Sequence, residues 1–189
     1  RPEPAKYAGE FFSIGVGARA LAMGSAGVAA ADDITALYWN PAGLANIRFI
    51  EVHGMHAERF AGIVNWDFLG LGMPLGDSLA LGFGFYRLGI DGIPVTRLID
   101  PSQPLGAENL PEIEKTIDDN EFVFMLSFGK KYCRKFNLGG SIKIIRKSMD
   151  EWGAWGIGFD AGILYTPVNK LKIGASLIDG TSTLIAWDT

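Results

Sequence analysis

The chain of 189 residues is long enough for one domain with a substantial core, and 48% of its residues are hydrophobic. Its mean hydropathy of +0.18 is high for a soluble domain in which 20% of the residues are charged. A net charge of −4 argues against a nucleic-acid-binding protein, because that class presents a basic face. The single cysteine, Cys133, excludes an intrachain disulfide and a cysteine-based metal site. No apolar run approaches the ~20 residues of a transmembrane helix.

The N-terminal part of the chain is built from small residues followed by one helix-like stretch. Residues 15–31 are almost all small, which predicts close packing of the backbone in a narrow space. In the next stretch, DDITALYWNPAGLA, the residues Ile34, Leu37 and Tyr38 fall at helical spacing. They predict a short helix with one apolar stripe that faces a wall.

The two ends of this predicted helix have clear signals. Asp32 or Asp33 can cap its start, because a carboxylate accepts hydrogen bonds from the free N–H groups of the first turn. Pro41 lacks an N–H and restricts the residue before it, so the helix must end there. The sequence from Asn40 to Gly43 then fits a type I turn.

From about residue 47 the pattern has a period of two, which predicts an all-β structure. The alternation is clearest in WGIGFDAGILY, where the side chains from Trp155 to Tyr165 on one face are large and apolar, and those on the other face are mostly glycine. An eighth strand is expected to start near Leu184. The other predicted strands are 48–57, 62–74, 78–89, 120–132, 136–148, 152–166 and 170–179.

A wholly apolar strand face fits a soluble β-sandwich, where it meets a second sheet, or a transmembrane β-barrel, where it meets lipid. Many of the predicted strands exceed the usual ~5–6 residues of soluble sheets, which favours the barrel. Trp155 and Tyr165 lie ten residues apart, or about 25 Å along the membrane normal at roughly 40° tilt. They are predicted to mark the two aromatic girdles of a membrane band.

The predicted connections alternate between short and long, as they do in outer-membrane barrels with tight turns at one end and loops at the other. The longest, 90–119, contains four prolines and many acidic residues, and we expect it to carry a short helix near 111–118. The basic residues from Lys130 to Lys135 straddle a short link, and we interpret them as a solvated turn.

The stretch GARALAMGSAGVAAADDITALYWNPAGLA resembles the N-terminal signature of the FadL-like outer-membrane proteins. It is most similar to the PorV/PorQ branch, which is tied to the type IX secretion system. The resemblance continues in LGIDGIPVTR (88–97), in LGGSIKIIRK (138–147) and in the WDT ending, so it covers nearly the whole chain.

This resemblance implies an antiparallel barrel of about fourteen strands in the bacterial outer membrane, with the N-terminal segment folded inside as a hatch. Residues 1–46 would form the hatch and residues 47–189 the first half of the barrel. Only seven or eight strands are present, so we expect the chain to be a fragment of the barrel; a complete eight-strand barrel is the alternative. The hatch residues implied by the resemblance are Asp32, Asp33, Leu37, Tyr38, Trp39, Asn40, Pro41, Ala42 and Gly43.

The remaining polar residues give weak signals for chemistry. His53 and His56 point to opposite faces of a strand, which argues against a joint metal site. Asp160 lies on the lumen face, and Lys143, Arg146 or Lys172 could pair with it to support the hatch. No catalytic constellation and no cofactor motif is present, so we predict a non-enzyme without cofactors.

Three functions follow from these patterns. The first is a secretion-associated barrel in outer-membrane lipid that docks secreted proteins or translocon subunits through loops such as 90–119. The second is a channel in which the hatch shifts to pass a hydrophobic ligand such as a fatty acid. The third is a soluble β-sandwich that binds a partner, in which Leu79, Phe83, Trp155 and Ile163 would be buried.

Overall fold

The computed structural model describes residues 14–107 and 109–180, together with the backbone of 184–188. It is an all-β structure with two short α-helices and one 3₁₀ helix near its N-terminus. The helices are α1 (Ala18–Ala22), α2 (Ala36–Trp39) and the 3₁₀ helix (Pro41–Asn46). The strands are β1 (Glu51–Arg59), β2 (Val64–Leu75), β3 (Leu79–Leu98), β4 (Pro111–Cys133), β5 (Phe136–Met149), β6 (Trp152–Val168), β7 (Leu171–Leu177) and β8 (Leu184–Asp188).

The strands form one antiparallel meander in which each strand pairs with the next from β1 to β7. The sheet curls into a half-barrel and does not close within the described residues. The seven predicted strands are therefore confirmed, while β1 and β4 begin three and nine residues away from the expected positions at 48 and 120. The complete eight-strand barrel is not formed in this part of the chain.

The predicted eighth strand does not add an eighth position to the sheet. Both β7 and β8 pair with β6, at Ala161↔Leu177 and at Ile157↔Leu184. Between these two pairs β6 has three residues, 158–160, whereas the opposing chain has six, 178–183. The two short strands thus follow one another along the same edge of β6.

The two faces of the sheet differ in side-chain size. The convex face carries bulky apolar side chains that are largely exposed: Phe83, Trp155 and Ile163 retain 47%, 51% and 47% of their accessible surface. This is the alternation expected for the face of β6 that includes Trp155. Other exposed members of the convex face are Leu69, Leu71, Phe124, Leu126, Phe128, Ile142, Ile144, Ile157 and Phe159.

The concave face holds the hydrophobic core of the molecule. Residues 14–47, which we call the N-terminal segment, lie against it and supply more than half of the core side chains. The first 13 residues of the predicted hatch lie outside the described part of the chain. Core side chains from the sheet include Trp66, Phe68, Tyr86, Val123, Met125 and Ile145.

The predicted loop 90–119 is mostly strand, and the expected helix near 111–118 is wrong. Strands β3 and β4 continue past their neighbours, because β2 pairs with β3 only as far as Ile90 and β5 pairs with β4 only from Asp119. Residues 91–98 and 111–118 therefore pair only with each other and form a two-stranded ribbon, with a loop at 99–110. Side chains alternate along this stretch, and each strand is stabilised by its partner's hydrogen bonds.

The β-sandwich alternative does not match this fold. The described strands make a single sheet, and the faces that a sandwich would bury are exposed. In the described residues, none of the helices has the length and apolar character needed to traverse a bilayer.

Candidate functional site at the concave face

The helix predicted in the N-terminal segment is present but is shorter and starts differently. Helix α2 begins after Thr35, and no side chain caps it. Asp33 instead accepts hydrogen bonds from the backbone N–H and the hydroxyl of Thr35, one turn earlier. Of the two expected caps, Asp33 thus accepts from a free N–H of the turn that leads into α2, rather than from α2 itself.

The predicted end of the helix before Pro41 is confirmed. The turn that follows is longer than expected, because it continues as a 3₁₀ helix. Asn40 has extended backbone angles, and the Gly43 N–H donates to the Asn40 carbonyl oxygen at 2.9 Å, which closes the turn. The chain then makes a 3₁₀ helix from Pro41, whose fixed φ suits the first helical position. Ala42 and Gly43 are buried within it.

The apolar stripe of α2 faces the wall of the sheet, as predicted. Leu37 is fully buried against Gly82 and Gly84 of β3. The Tyr38 ring stacks on that of Tyr86 at 5.8 Å between centroids. Trp39 lies within the segment itself, and its indole N–H donates to the carbonyl oxygen of Val16 at 2.8 Å.

Inward-facing glycines of the sheet form a floor that lets the segment's backbone approach closely. A Cβ atom at Gly129 would lie 2.5 Å from the Ala45 nitrogen, and one at Gly174 would lie 2.6 Å from the Val28 carbonyl oxygen. Real Cβ atoms essentially never make such contacts, so any side chain here would displace the segment. We call Gly129, Gly139, Gly162 and Gly174 the glycine floor.

Asn40 is the main polar tie between the segment and the sheet, and it is fully buried. Its amide nitrogen donates to the carbonyl oxygens of Val28 at 2.9 Å and of Ile163 at 3.1 Å, with a longer contact to Ala175 at 3.5 Å. Its side-chain oxygen accepts from the Ala42 N–H at 3.1 Å. A single side chain thus joins two parts of the segment to strands β6 and β7.

Asp32 makes a second tie at the edge of the segment. Its carboxylate lies 3.1 Å from the Lys172 ammonium of β7 and 3.3 Å from the Arg19 guanidinium. Partial burial disfavours its charged form, but the hydrogen bond and positive charge of Lys172, helped by Arg19, outweigh this and lower the pKa of Asp32 below its ordinary value. The carboxylate therefore stays ionised at neutral pH.

A buried ionic cluster lies on the concave face of β5 and β6. The Lys143 ammonium is 2.8 Å from a carboxylate oxygen of Asp160 and 2.6 Å from one of Asp179. The Lys143 and Asp160 side chains are 1% and 3% exposed. Of the three partners considered for Asp160, the structure selects Lys143. Lys172 pairs with Asp32, and Arg146 lies on the convex face over the Trp155 ring.

Asp179 reaches this cluster because the chain bends directly after β7. Its backbone has a positive φ of 51°, which turns the chain inward, and its N–H donates to Asp160 at 2.9 Å. Asp is among the few non-glycine residues that adopt this conformation readily. The interruption between β7 and β8 thus places a second carboxylate beside Lys143.

A second polar group continues along the concave face towards the ribbon. Lys147 is ion-paired with Glu121 and lies 3.5 Å from Asp119. Further from the ribbon on the same strands, the hydroxyl of Ser127 donates to that of Ser141 at 2.7 Å. The part of the concave face made by β4–β6 is therefore polar, whereas the part made by β2–β4 is aromatic.

The histidines lie on opposite faces, as predicted. His53 faces inward near Phe68, and His56 lies on the convex face with its Nδ1 2.7 Å from Asp67. Asp67 also lies 3.5 Å from Arg87. Within the described residues no group of three histidine, cysteine or carboxylate side chains is arranged to hold a metal ion.

The two predicted girdle aromatics lie on the convex face at opposite ends of β6. Trp155 is at the end near the ribbon, and the Arg146 guanidinium stacks over its ring at 4.9 Å. Tyr165 is at the end with the tight turns, and its ring stacks on Phe136 at 4.4 Å. The row of paired residues through Trp155 also carries charged groups (His56, Asp67, Arg87 and Arg146), which end the apolar surface on that side.

The cavity beside helix α1 is small. A cavity of about 160 Å³ lies between the residues around α1 and the inward side of β1, with Met23, Thr35 and His53 in its lining. This is below the ~300 Å³ that bound small molecules usually occupy. The rest of the interface between the segment and the sheet is closely packed.

Comparisons with known proteins leave the family unassigned. No protein-family model matches the chain, and no curated protein matches it.

Sequence reasoning named Lys143 among three partners for Asp160 but missed Asp179. The alternation of IKIIRK places Lys143 on the same face as Ile145. Asp179 precedes a glycine, which indicates a turn but not its direction. The glycine floor was visible as the regular small face of each strand.

Proposed function

We propose that this chain is part of an outer-membrane β-barrel of the FadL-like, PorV type, with residues 1–46 as a hatch in its lumen. Its role would be non-catalytic: it would dock secreted proteins or translocon subunits. The observation that carries the membrane location is the convex face, whose bulky apolar side chains are exposed over strands β2–β7. In water such a surface would drive association, whereas in lipid it is the expected contact surface.

The closely packed N-terminal segment supports a plugged barrel. Its backbone rests on the glycine floor and is fixed by Asn40, so the lumen of the half-barrel is filled. A plugged lumen suits a docking protein, because it prevents leakage while the outer parts bind a partner.

The β3–β4 ribbon is the element best placed to dock a partner. It extends beyond the neighbouring strands, and its outer part exposes Ile99, Leu105, Leu110 and Ile113. Residues 90–119 contain seven acidic and two basic residues, a net charge of −5 against −4 for the whole chain. Exposed apolar side chains within a charged rim are typical of protein-binding surfaces.

Removal of the ribbon tests this function. Residues 91–118 would be replaced by an Asn-Gly hairpin turn in the full-length protein in its own cells. The docking function predicts that the barrel still reaches the outer membrane while secreted proteins accumulate behind it. Normal secretion with a correctly inserted ribbonless barrel would contradict docking through this element.

The channel for hydrophobic molecules is the second candidate, and the cavity beside α1 is the observation in its favour. It predicts that loosening the segment, for example with Asn40→Ala, increases uptake of a fatty acid. The docking function predicts no such increase, and the ribbon deletion should leave uptake unchanged. The two variants therefore separate the two functions.

A further inference from the structure

The end of the sheet opposite the ribbon concentrates positive charge. Its tight turns lie at 76–78, 134–135 and 169–170. We call five cationic residues in or beside the β2–β3, β4–β5 and β6–β7 turns the short-turn rim; Lys172, which is paired with Asp32, is not counted, and the turns themselves include one carboxylate, Asp77. The members of the short-turn rim are Lys130, Lys131, Arg134, Lys135 and Lys170.

The charges of this rim are not neutralised within the described part of the protein. Lys131 donates to the backbone carbonyl oxygen of Asp77 at 3.0 Å, and among the described residues no carboxylate oxygen lies within 4.0 Å of any of the five cations. Near the ribbon, by contrast, the cations are paired with carboxylates. There Arg87, Arg97 and Lys147 each have a carboxylate oxygen at 3.4 to 3.5 Å.

The rim continues directly from the apolar convex face. Lys130 pairs in register with Leu79 and Leu138, so its aliphatic stem can follow apolar surface while its ammonium extends outward. The stacked Phe136 and Tyr165 rings lie at the same end. Towards this end of the sheet, apolar side chains are followed by aromatic rings and then by cations. Membrane proteins show the same order from the hydrocarbon core of a bilayer to its headgroups.

We propose that the short-turn rim binds the headgroups of anionic phospholipids. This inference rests on the proposed membrane location and adds the lipid class and the leaflet that faces the tight turns. The ammonium groups would neutralise phosphodiester charges, and the Arg134 guanidinium can hold a phosphate through two parallel hydrogen bonds. A lipid suits the rim better than an acidic protein segment, because the cations follow the edge of the apolar face and line no groove.

The test measures lipid selectivity of the whole purified protein. The protein in dodecyl maltoside would be mixed with equal amounts of phosphatidylglycerol and phosphatidylcholine, and the lipids retained after gel filtration would be quantified by mass spectrometry. We expect phosphatidylglycerol to be enriched. Arg134→Gln with Lys135→Gln should reduce the enrichment, by up to about fivefold for each cation removed.

The matched control is Arg97→Gln with Lys115→Gln, which removes two ion-paired cations of the ribbon and should keep the enrichment. Equal retention of both lipids by the unaltered protein, or an equal loss in the control, would overturn the proposal. Displacement of the lipid by millimolar glycerol 3-phosphate would assign the rim to free phosphate, and displacement by decaglutamate would assign it to an acidic protein segment. Retention of no lipid at all would contradict the membrane location itself.

Discussion

The two faces of the same sheet follow opposite rules of construction. On the concave face the glycine floor and the Lys143 cluster fit the N-terminal segment so closely that one added atom or one lost charge matters. On the convex face, bulky side chains such as Phe159 and Ile142 stay exposed and have few partners to disturb. The concave face is therefore specified by shape and pairing, and the convex face only by its apolar character.

Removing the buried cation should have the largest effect. Lys143→Met leaves Asp160 and Asp179 without their ammonium partner, which should lower the free energy of unfolding by about 3–5 kcal/mol. Lys172→Met is the control, because its pair with Asp32 is partly exposed and should be worth at most ~1 kcal/mol. Urea unfolding in detergent micelles measures both, and equal losses would show that the Lys143 cluster is not a buried element.

A charge introduced on the convex face should have the second-largest effect on stability, and only when the protein is in lipid. Ile142→Lys places an ammonium in the middle of the apolar surface, at a cost of about 2–4 kcal/mol in a bilayer. Ser148→Lys, on the same face beyond the charged row, should cost less than ~1 kcal/mol. Refolding yield into vesicles reports the difference. Equal yields for the two variants would argue that this face does not meet lipid.

A methyl group on the glycine floor should be costly, whereas one on the convex face should not. Gly139→Ala would force a Cβ into the backbone of Pro41 and Ala42 and should destabilise by about 1–3 kcal/mol. Gly54→Ala is the matched control, because nothing lies within 4 Å of the added atom. If both variants unfold at the same urea concentration, the segment does not rest on the floor.

Replacing Asn40 by Asp should loosen the segment. The change keeps the shape but removes the donor to the Val28 and Ile163 carbonyls, which should cost about 1–3 kcal/mol. We expect faster tryptic cleavage after Arg19. Asn169→Asp, in the exposed β6–β7 turn, should leave the cleavage rate unchanged, and a similar rate in both variants would count against the role of Asn40.

The smallest expected effect is the pH dependence of Asp32. Its pKa is lowered in the folded protein, so its stabilising contribution is present above the unfolded-state pKa of about 3.9 and is lost as the pH falls through the folded value. Asp32→Asn should therefore be less stable than the unaltered protein at pH 6 and equal to it near pH 2. A difference that persists at pH 2 would contradict the ion pair with Lys172.

Local patterns predicted the strands and their faces, because an alternation of apolar and small residues indicates a strand and also shows which side chains share a face. The alternation around Trp155 and the stop at Pro41 needed no information from distant residues. The ribbon was missed because prolines and acidic residues usually indicate a loop, whereas here Pro94 and Pro111 lie in a ribbon with no further neighbours to pair with. The pairing of Lys143 with Asp179 depends on the bend after β7, whose direction only the folded sheet decides.

The most direct test of the central claim is a depth profile of β6 in a bilayer. In a Cys133→Ser background of the full-length protein, nitroxide labels at Ile157, Phe159, Ala161 and Ile163 would be compared for collision with oxygen and with a water-soluble nickel complex. We expect the oxygen preference to be greatest at Phe159 and Ala161, midway between Trp155 and Tyr165, and to fall towards both ends. A uniform preference for the nickel complex at all four positions would contradict a lipid-facing convex surface.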